Sequence, residues 1–258
     1  KKAAAAVISS GKYSIHNDYI SNYISKDLKG NSEMILYKIY SHTSEGAKVT
    51  QAHAMQGWSN YSSKAWGLTK SAVENFTFAD GLPIHMGEYS DATIEDIFAN
   101  RDARLSLICD PEIVCTVGFA YTQGVNSSTG YYTDKFVDWN DYGTTTWSAP
   151  YNTTDAPIYT LSEVMLNYAE ACAELEDLGS AAMSQNDLDI SVNIIRANHA
   201  KLPALTYAGK GKVSVNGVEI TADPKNTEGI STLLWELRRE RRSELMCDGF
   251  RYEDLLRW

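Results

Sequence analysis

Arginine and glutamate residues are crowded near the end of the sequence at a density that could support acid–base chemistry. In chain order the charged residues are Glu236, Arg238, Arg239, Glu240, Arg241, Arg242 and Glu244. A carboxylate in a cleft can act as a general acid or base, and neighbouring guanidinium groups can clamp an anionic substrate. The same residues can also form a structural ionic lock between two helices.

Helical periodicity favours the structural interpretation. A helix predicted over residues 229–247 places Arg241 on the same stripe as the apolar residues Leu234, Leu237 and Leu245. A buried guanidinium must be paired with a carboxylate, and three carboxylates are close in sequence. We therefore predict an ionic lock that consists of Arg241, Glu240, Glu244 and Asp254.

Two irregular, aromatic-rich stretches are the candidate ligand surfaces. The sequence has 16 tyrosines and 6 tryptophans, against 6 phenylalanines. Their flat rings stack on the apolar faces of sugars, and side-chain amides hydrogen-bond sugar hydroxyls. Residues 41–70 supply the first set, Gln56, Trp58, Asn60, Tyr61 and Trp66, and residues 115–159 supply a second set, Tyr131, Tyr132, Trp139 and Trp147. The alternative for each single aromatic residue is a place in the core or as a loop anchor.

Other function classes find little support in the sequence. A formal net charge of −10 argues against a nucleic-acid partner. The four cysteines have no zinc-site spacing, and the histidines form no metalloprotease motif, so we expect no metal and no cofactor. A glycosidase needs two carboxylates across a sugar, and no spacing singles out such a pair.

Coarse periodicity predicts a mainly α-helical fold with long irregular loops and one small β-hairpin. Helices are predicted at residues 2–10, 71–80, 91–106, 160–178, 187–200 and 229–247. Residues 34–40 read as a buried strand or a short helix. Alternation around Asn216-Gly217 predicts a hairpin at 213–220. The two helices at 160–200 resemble a tetratricopeptide-type helical hairpin.

Five stretches of the sequence resemble motifs of the SusD/RagB family, and they occur in the family's order. They are Phe98–Leu105 (FANRDARL), Thr129–Lys135 (TGYYTDK), Ala156–Ala171, Val192–Arg196 (VNIIR) and Glu240–Trp258 (ERRSELMCDGFRYEDLLRW). The chain departs from the family pattern where Thr160 replaces an arginine, where Asp248 replaces a glutamate, and where His199 lies in an altered turn.

The resemblance implies a non-enzymatic, surface-exposed lipoprotein of the outer membrane in Bacteroidota-type bacteria. Such a protein binds glycans or other nutrients and delivers them to a TonB-dependent, SusC-like transporter. Residues 1–258 would form one SusD-like region, truncated at both ends, with a loop-rich part (1–150) and a helical part (151–258). The membrane contact would be a lipid anchor outside this sequence. A helical scaffold that binds protein segments and a glycan-active enzyme remain the alternatives.

Overall fold

The computed structural model describes residues 1–41, 67–110, 129–141, 144 and 152–258. Its helices are α1 (Lys2–Ser9), α2 (Ser21–Ile24), α3 (Lys70–Val73), α4 (Ile94–Phe98), α5 (Ala103–Ile108), α6 (Leu161–Asp177), α7 (Gln185–Asp189), α8 (Val192–Ile195), α9 (Thr232–Glu244) and α10 (Arg251–Arg257). Its strands are β1 (Met34–Lys38), β2 (Ala156–Thr160), β3 (Leu205–Tyr207), β4 (Val213–Val215) and β5 (Val218–Glu219). The helix-rich architecture confirms the prediction of a mainly α fold. None of the helices in these ranges has the length and apolar character needed to cross a membrane.

Helix α6 forms where the apolar stripe predicts it. The Thr160 hydroxyl accepts a hydrogen bond from the Glu163 amide (3.4 Å) at its start, and Gly179 follows its end with a φ of 70°. The buried side of the helix includes Leu161, Met165, Tyr168 and Cys172. Helices α1 and α9 pack against α6, so this helix organises the larger of two apolar cores.

One predicted helix is broken and another is shorter than predicted. The region predicted at 91–106 contains α4 and the start of α5, and in the region predicted at 71–80 only the last three residues of α3 are helical. The buried Arg101 guanidinium donates to the carbonyls of Val73 (3.0 Å) and Ile97 (3.0 Å), and Asn100, which lies between α4 and α5, has a φ of 55°. These carbonyls lie in the last turns of α3 and α4, where helical carbonyls lack partners within the helix.

The helix predicted at 187–200 is also interrupted. Helices α7 and α8 are followed by a π-helical turn, Arg196–Ala200. Ser191 separates α7 from α8 with non-helical backbone angles, and its hydroxyl donates to the Asp187 carbonyl (2.5 Å). Serine competes with the helix ladder in this way, which periodicity alone does not reveal.

Two small antiparallel sheets complete the described fold. Strand β1 pairs with β2, which is distant in sequence and carries no strand signal of its own. Only Met34 of β1 is buried, so the prediction of a buried strand is wrong for the rest of it. The predicted hairpin is β4–β5, with positive φ at Asn216 (50°) and Gly217 (81°), and β3 adds an unpredicted third strand.

A second apolar core lies around α3 and α5 and joins residues from both ends of the chain. Its buried members include Tyr19, Phe76, Leu105, Ile108 and Met246. Cys247 packs against this core from a turn with a φ of 69°, although it is the last residue of the helix predicted at 229–247.

Gly81 lies where two elements approach closely. Its φ is 86°, and a Cβ atom there would lie 2.7 Å from Arg196 Nη2 and 3.0 Å from Val215 Cγ1. Gly30 has the same φ of 86°, and a Cβ atom added to it would meet no other atom within 4 Å. A comparison of substitutions at the two glycines therefore separates the cost of backbone strain from the cost of steric contact.

We expect Gly81→Ala to lower the free energy of unfolding more than Gly30→Ala does. Both variants place alanine at positive φ, at a cost of roughly 1–2 kcal/mol, and Gly81→Ala adds a clash with the hydrogen-bonded Arg196 side chain. Urea unfolding of the two variants measures the difference. Equal losses of stability would show that the close approach at Gly81 is absent.

Candidate functional site

Six of the nine predicted ligand contacts lie outside the described residues. They are Gln56, Trp58, Asn60, Tyr61, Trp66 and Trp147. Among the other three, Tyr132 is only 1% exposed, which is the placement of a core residue. Tyr131 is half-buried and packs against the second core, and Trp139 is half-buried with its Nε1 donating to Asp134 Oδ2 (3.0 Å).

Arg241 occupies the buried position expected from the apolar stripe, and Asp254 lies opposite it. Arg241 Nε is 2.8 Å from Asp254 Oδ2, and Nη1 donates to Asn167 Oδ1 (3.0 Å). This contact joins α9 to α10. Glu240 and Glu244 are directed elsewhere, toward cations from distant parts of the chain that lie outside the predicted lock.

Arg104 is the centre of this second group. Its side chain is fully buried and lies 2.6 Å from Asp102 Oδ2, 2.6 Å from Glu240 Oε1 and 2.8 Å from Glu244 Oε2. Burial disfavours the charged guanidinium, but the carboxylates of Asp102 and Glu240 outweigh it and raise the pKa of Arg104. Glu240 is shared with Arg196, whose Nη1 lies 3.0 Å from Glu240 Oε2. The ion pairs of Arg104 and Arg196 therefore join α5, α9 and the π-helical turn.

His199 continues the network toward the beginning of the chain. Its Nδ1 lies 2.7 Å from Glu244 Oε1, and its Nε2 lies 2.8 Å from the His16 carbonyl and 3.2 Å from Glu33 Oε2. Both ring nitrogens face acceptors, which requires both to carry protons. Burial opposes this charge, but Glu244 and Glu33 prevail and raise the pKa of His199 to about 10.

The group Glu33, His199 and Glu244 has the composition of a metal site, and its ligand atoms lie within 4.8 Å of one another. A metal-binding imidazole must offer an unprotonated nitrogen. In this group both His199 nitrogens face hydrogen-bond acceptors, and Glu244 also accepts from Arg104 Nη1 (2.8 Å). The chemistry of the group is therefore that of a protonated ion pair.

A cavity of about 300 Å³ lies beside this network, between strand β2 and the turn that follows α9. Aromatic side chains and polar groups share its wall. The aromatic residues are Tyr23, Tyr40, Phe136 and Phe250. The polar residues include Asn152, Asp155, Glu163 and Asp248. Rings and hydrogen-bonding groups together suit a sugar, which offers apolar faces and hydroxyls.

Hydrogen bonds hold two of the cavity's carboxylates. Asp248 Oδ1 accepts from Lys135 Nζ (2.6 Å), and its Oδ2 accepts from the Tyr23 hydroxyl (2.9 Å). Asp155 accepts from the backbone amides of Leu28 and Tyr40 (both 3.0 Å), which fixes Tyr40 at the cavity wall. Burial raises the pKa of Glu163, although Arg241 opposes the effect. Asp155 and Asp248 thus hold residues of the cavity wall in position. The carboxylates that line the cavity are hydrogen-bond acceptors for a ligand.

Sequence reasoning missed this cavity because its residues come from five separate parts of the chain. Lys135 ends the Thr129–Lys135 motif, and Asp248 is one of the departures from the family pattern. Their direct contact in the structure links these two features of the sequence. Tyr40 and Phe250 carry no periodic or spacing signal that separates a cavity wall from a core.

We expect Arg104→Met to destabilise the protein by about 3–5 kcal/mol, because it leaves buried carboxylates without their cation. The control is Lys212→Gln, which removes an exposed ion pair to Glu219 and should cost about 1 kcal/mol or less. Urea unfolding compares the two variants. If Arg104→Met lowers the free energy of unfolding as little as the control does, the Arg104 ion pairs have no structural role.

The His199 ion pair predicts a loss of stability as pH rises. The unfolded histidine releases its proton near pH 6.5, whereas folded His199 keeps it up to about pH 10. The contribution is complete below pH 6.5 and falls between pH 6.5 and 10, by at most about 1.4 kcal/mol per pH unit for one proton. The same contact lowers the pKa of Glu244 to about 2 against the effect of burial, so acid weakens it below pH 4.5.

His199→Gln should remove this alkaline slope while leaving a less stable protein at pH 6.5. Unfolding free energies of the wild type and the variant, measured from pH 6.5 to pH 9, give the two slopes. Glu33→Gln, which keeps the Glu244 contact, should reduce the slope only in part. A variant slope equal to that of the wild type would show that His199 does not hold the proton.

Solved structures with the same fold are SusD-like proteins. A SusD-like carbohydrate binding protein from Bacteroides fragilis superposes with a TM-score of 0.69 at 22% identity, over 100% of this chain and 47% of its own. A second SusD-like protein from that organism gives 0.60 at 23% identity, over 100% and 50%. Surface glycan-binding protein A from Bacteroides thetaiotaomicron, in complex with laminarihexaose, gives 0.50 at 17%, over 99% and 49%.

The chain thus spans about half the length of these structures, and no curated protein matches it significantly. The sequence profile of the SusD family matches residues 120–258, which include the Ala156–Ala171 and Glu240–Trp258 motifs. Buried ion pairs of Glu240, Arg241 and Glu244 connect the second of these motifs to the rest of the described fold. The chain belongs to the SusD family.

Proposed function

We propose that this protein binds oligosaccharides at the bacterial cell surface without hydrolysing them. Membership of the SusD family carries the proposal. One relative of the same fold is described as a carbohydrate binding protein, and another as a surface glycan-binding protein in complex with laminarihexaose. The family resemblance further supports a lipid-anchored protein of the outer membrane, which passes its ligand to a TonB-dependent, SusC-like transporter.

The first cavity supports this proposal on physical grounds. Its aromatic rings can stack on the C–H faces of a pyranose, while Asn152 and Glu163 can hydrogen-bond hydroxyl groups. The volume of about 300 Å³ corresponds to a small ligand or to part of a longer one. The cavity is therefore suited to hold one end of an oligosaccharide, with further sugars extending beyond it.

We also propose that the first aromatic stretch contacts the ligand through Trp58, Tyr61 and Trp66, with Gln56 and Asn60 as polar partners. Tyr131, Trp139 and Trp147 form the second set of proposed contacts, and Tyr132 serves as a core support for them. The composition of these stretches supports the proposal, because rings alternate with side chains that hydrogen-bond hydroxyls.

We expect Trp58→Ala and Trp66→Ala to weaken glycan binding about five-fold or more each, since a stacked aromatic ring contributes about 1 kcal/mol. Calorimetric titration with the best ligand from a glycan array measures the change. Tyr252→Ala is the control, because Tyr252 is an exposed aromatic residue outside both stretches. Tyr40→Ala tests the cavity separately.

Three results would contradict these proposals at different levels. Unchanged affinity in both tryptophan variants, with a loss in Tyr40→Ala, would move the site from the first stretch to the cavity. Release of shorter sugars from the bound glycan would replace capture with hydrolysis. Binding of peptides and no glycan would favour a protein-binding scaffold.

A further inference from the structure

A second cavity, of about 170 Å³, is lined by residues of helices α9 and α10 and differs in charge from the first. Its wall combines two indole rings with cationic side chains. The residues that matter here are Trp235, Trp258, Lys225, Arg238, Arg242 and Arg251. The whole chain has a formal net charge of −10, so a cavity rich in cations needs a physical explanation.

Some of these cations are neutralised within the fold. Arg238 Nη2 donates to Glu174 Oε1 (2.8 Å), and Lys225 Nζ donates to Glu74 Oε2 (2.7 Å). Arg239, which also lines the cavity, pairs with Glu236 and Asp223. These side chains have carboxylate partners and are explained by the packing of α9.

Arg242 and Arg251 differ from them. Arg242 Nη2 donates to the Ser71 hydroxyl (3.2 Å), and within the described ranges no carboxylate forms an ion pair with it. Burial, followed by the positive charges of Arg251 and Arg239, lowers the pKa of Arg242 to about 10. The Arg251 guanidinium lies over the Trp258 ring (5.3 Å to its centroid) and likewise forms no ion pair with a described carboxylate.

One carboxylate, that of Glu228, is present on the cavity wall. It is exposed and forms no ion pair with Arg242 or Arg251 in the part of the chain that the structure describes. The two guanidinium groups repel each other, and although the charge of Asp254 partly offsets that of Arg251, Asp254 forms its ion pairs with Arg241 and Arg257. An anion placed between them would remove that repulsion and satisfy the donors that remain free on two planar forks.

The aromatic residues of this cavity have different roles. Trp258 is already in contact with guanidinium groups, since Arg238 (4.7 Å) and Arg251 (5.3 Å) both lie over its ring. Its Nε1 donates to Glu170 Oε1 (2.5 Å), which fixes the indole and with it the Arg251 side chain. Trp235 is half-buried and lines the same cavity, where its ring is the apolar surface available to a ligand.

We propose that this second cavity binds an acidic sugar residue, with Arg242 and Arg251 on its anionic group and Trp235 beside its ring. The anionic group is a uronate carboxylate or a sulfate ester, both of which match the planar guanidinium fork. The inference rests on the proposed glycan-binding function and adds the charge class of the glycan. A neutral sugar would leave the repulsion between the two guanidinium groups in place, so the cavity should discriminate by charge.

Calorimetric titrations with trigalacturonic acid, its full methyl ester and a sulfated trisaccharide test the proposal. We expect at least one of the two anionic probes to bind ten-fold or more tightly than the methyl ester. The stronger of the two identifies the source of the anion. Its affinity should fall several-fold between 50 mM and 500 mM NaCl, because salt screens exposed charges.

The variants assign this preference to the cavity. The double variant Arg242→Gln/Arg251→Gln should reduce the preference for the anionic probe to less than two-fold, and Arg242→Lys, which keeps the charge without the fork, should retain part of it. Lys12→Gln/Lys29→Gln is the charge-matched control, because both lysines are exposed and neither lines the cavity. Urea unfolding of the double variant checks that the fold persists, as expected for two cations without ion pairs.

The failure of this inference is distinguishable from the failure of the proposed function. Equal affinity for the acids and the ester, together with binding of neutral glycans, would overturn the charge preference alone. A charge preference that survives in the double variant would place the anion site elsewhere and would also overturn the inference. Absence of binding to any glycan would reject both proposals.

Discussion

The described fold depends on the neutralisation of Glu244, a fully buried carboxylate at the end of α9. Arg104 reaches it from α5, and His199 reaches it from the π-helical turn. His199 in turn contacts Glu33 and the His16 carbonyl near the beginning of the chain. Ionic groups this deep are stable only when all partners are in place. One carboxylate therefore fixes the mutual positions of segments separated by more than 200 residues.

This constraint explains which parts of the fold could be predicted from sequence. Helices α6 and α9 carry regular apolar stripes, and local caps begin them, so periodicity identifies them. The short helices α3 and α4 end where Arg101 binds their last carbonyls, and that residue is distant in sequence from α3. Pairing between β1 and β2 also depends on contacts over more than a hundred residues. Local patterns contain no information on such partners.

The candidate site shows the same division between local and distant information. The stripe places Arg241 on an apolar face, and Asp254 is close enough in sequence to be proposed as its partner. Glu240 and Glu244 lie on the same helix, but their cations come from Arg104, Arg196 and His199. A similar limit applies to the first cavity, whose walls meet only after β1, β2 and the turn after α9 have packed. Composition suggests aromatic ligand contacts, but only packing decides which rings face a cavity.

Helix α9 thus carries two different charge patterns at helical spacing. Glu240, Arg241 and Glu244 face the interior, where each of them has an oppositely charged partner. These ion pairs hold the fold together. Trp235, Arg238 and Arg242 recur at three and four residues and line the second cavity instead. The dense Arg and Glu run that resembles a catalytic constellation is therefore two interleaved faces of one helix. Because the inner face is satisfied by ion pairs, any ligand chemistry that this helix performs must come from the outer face.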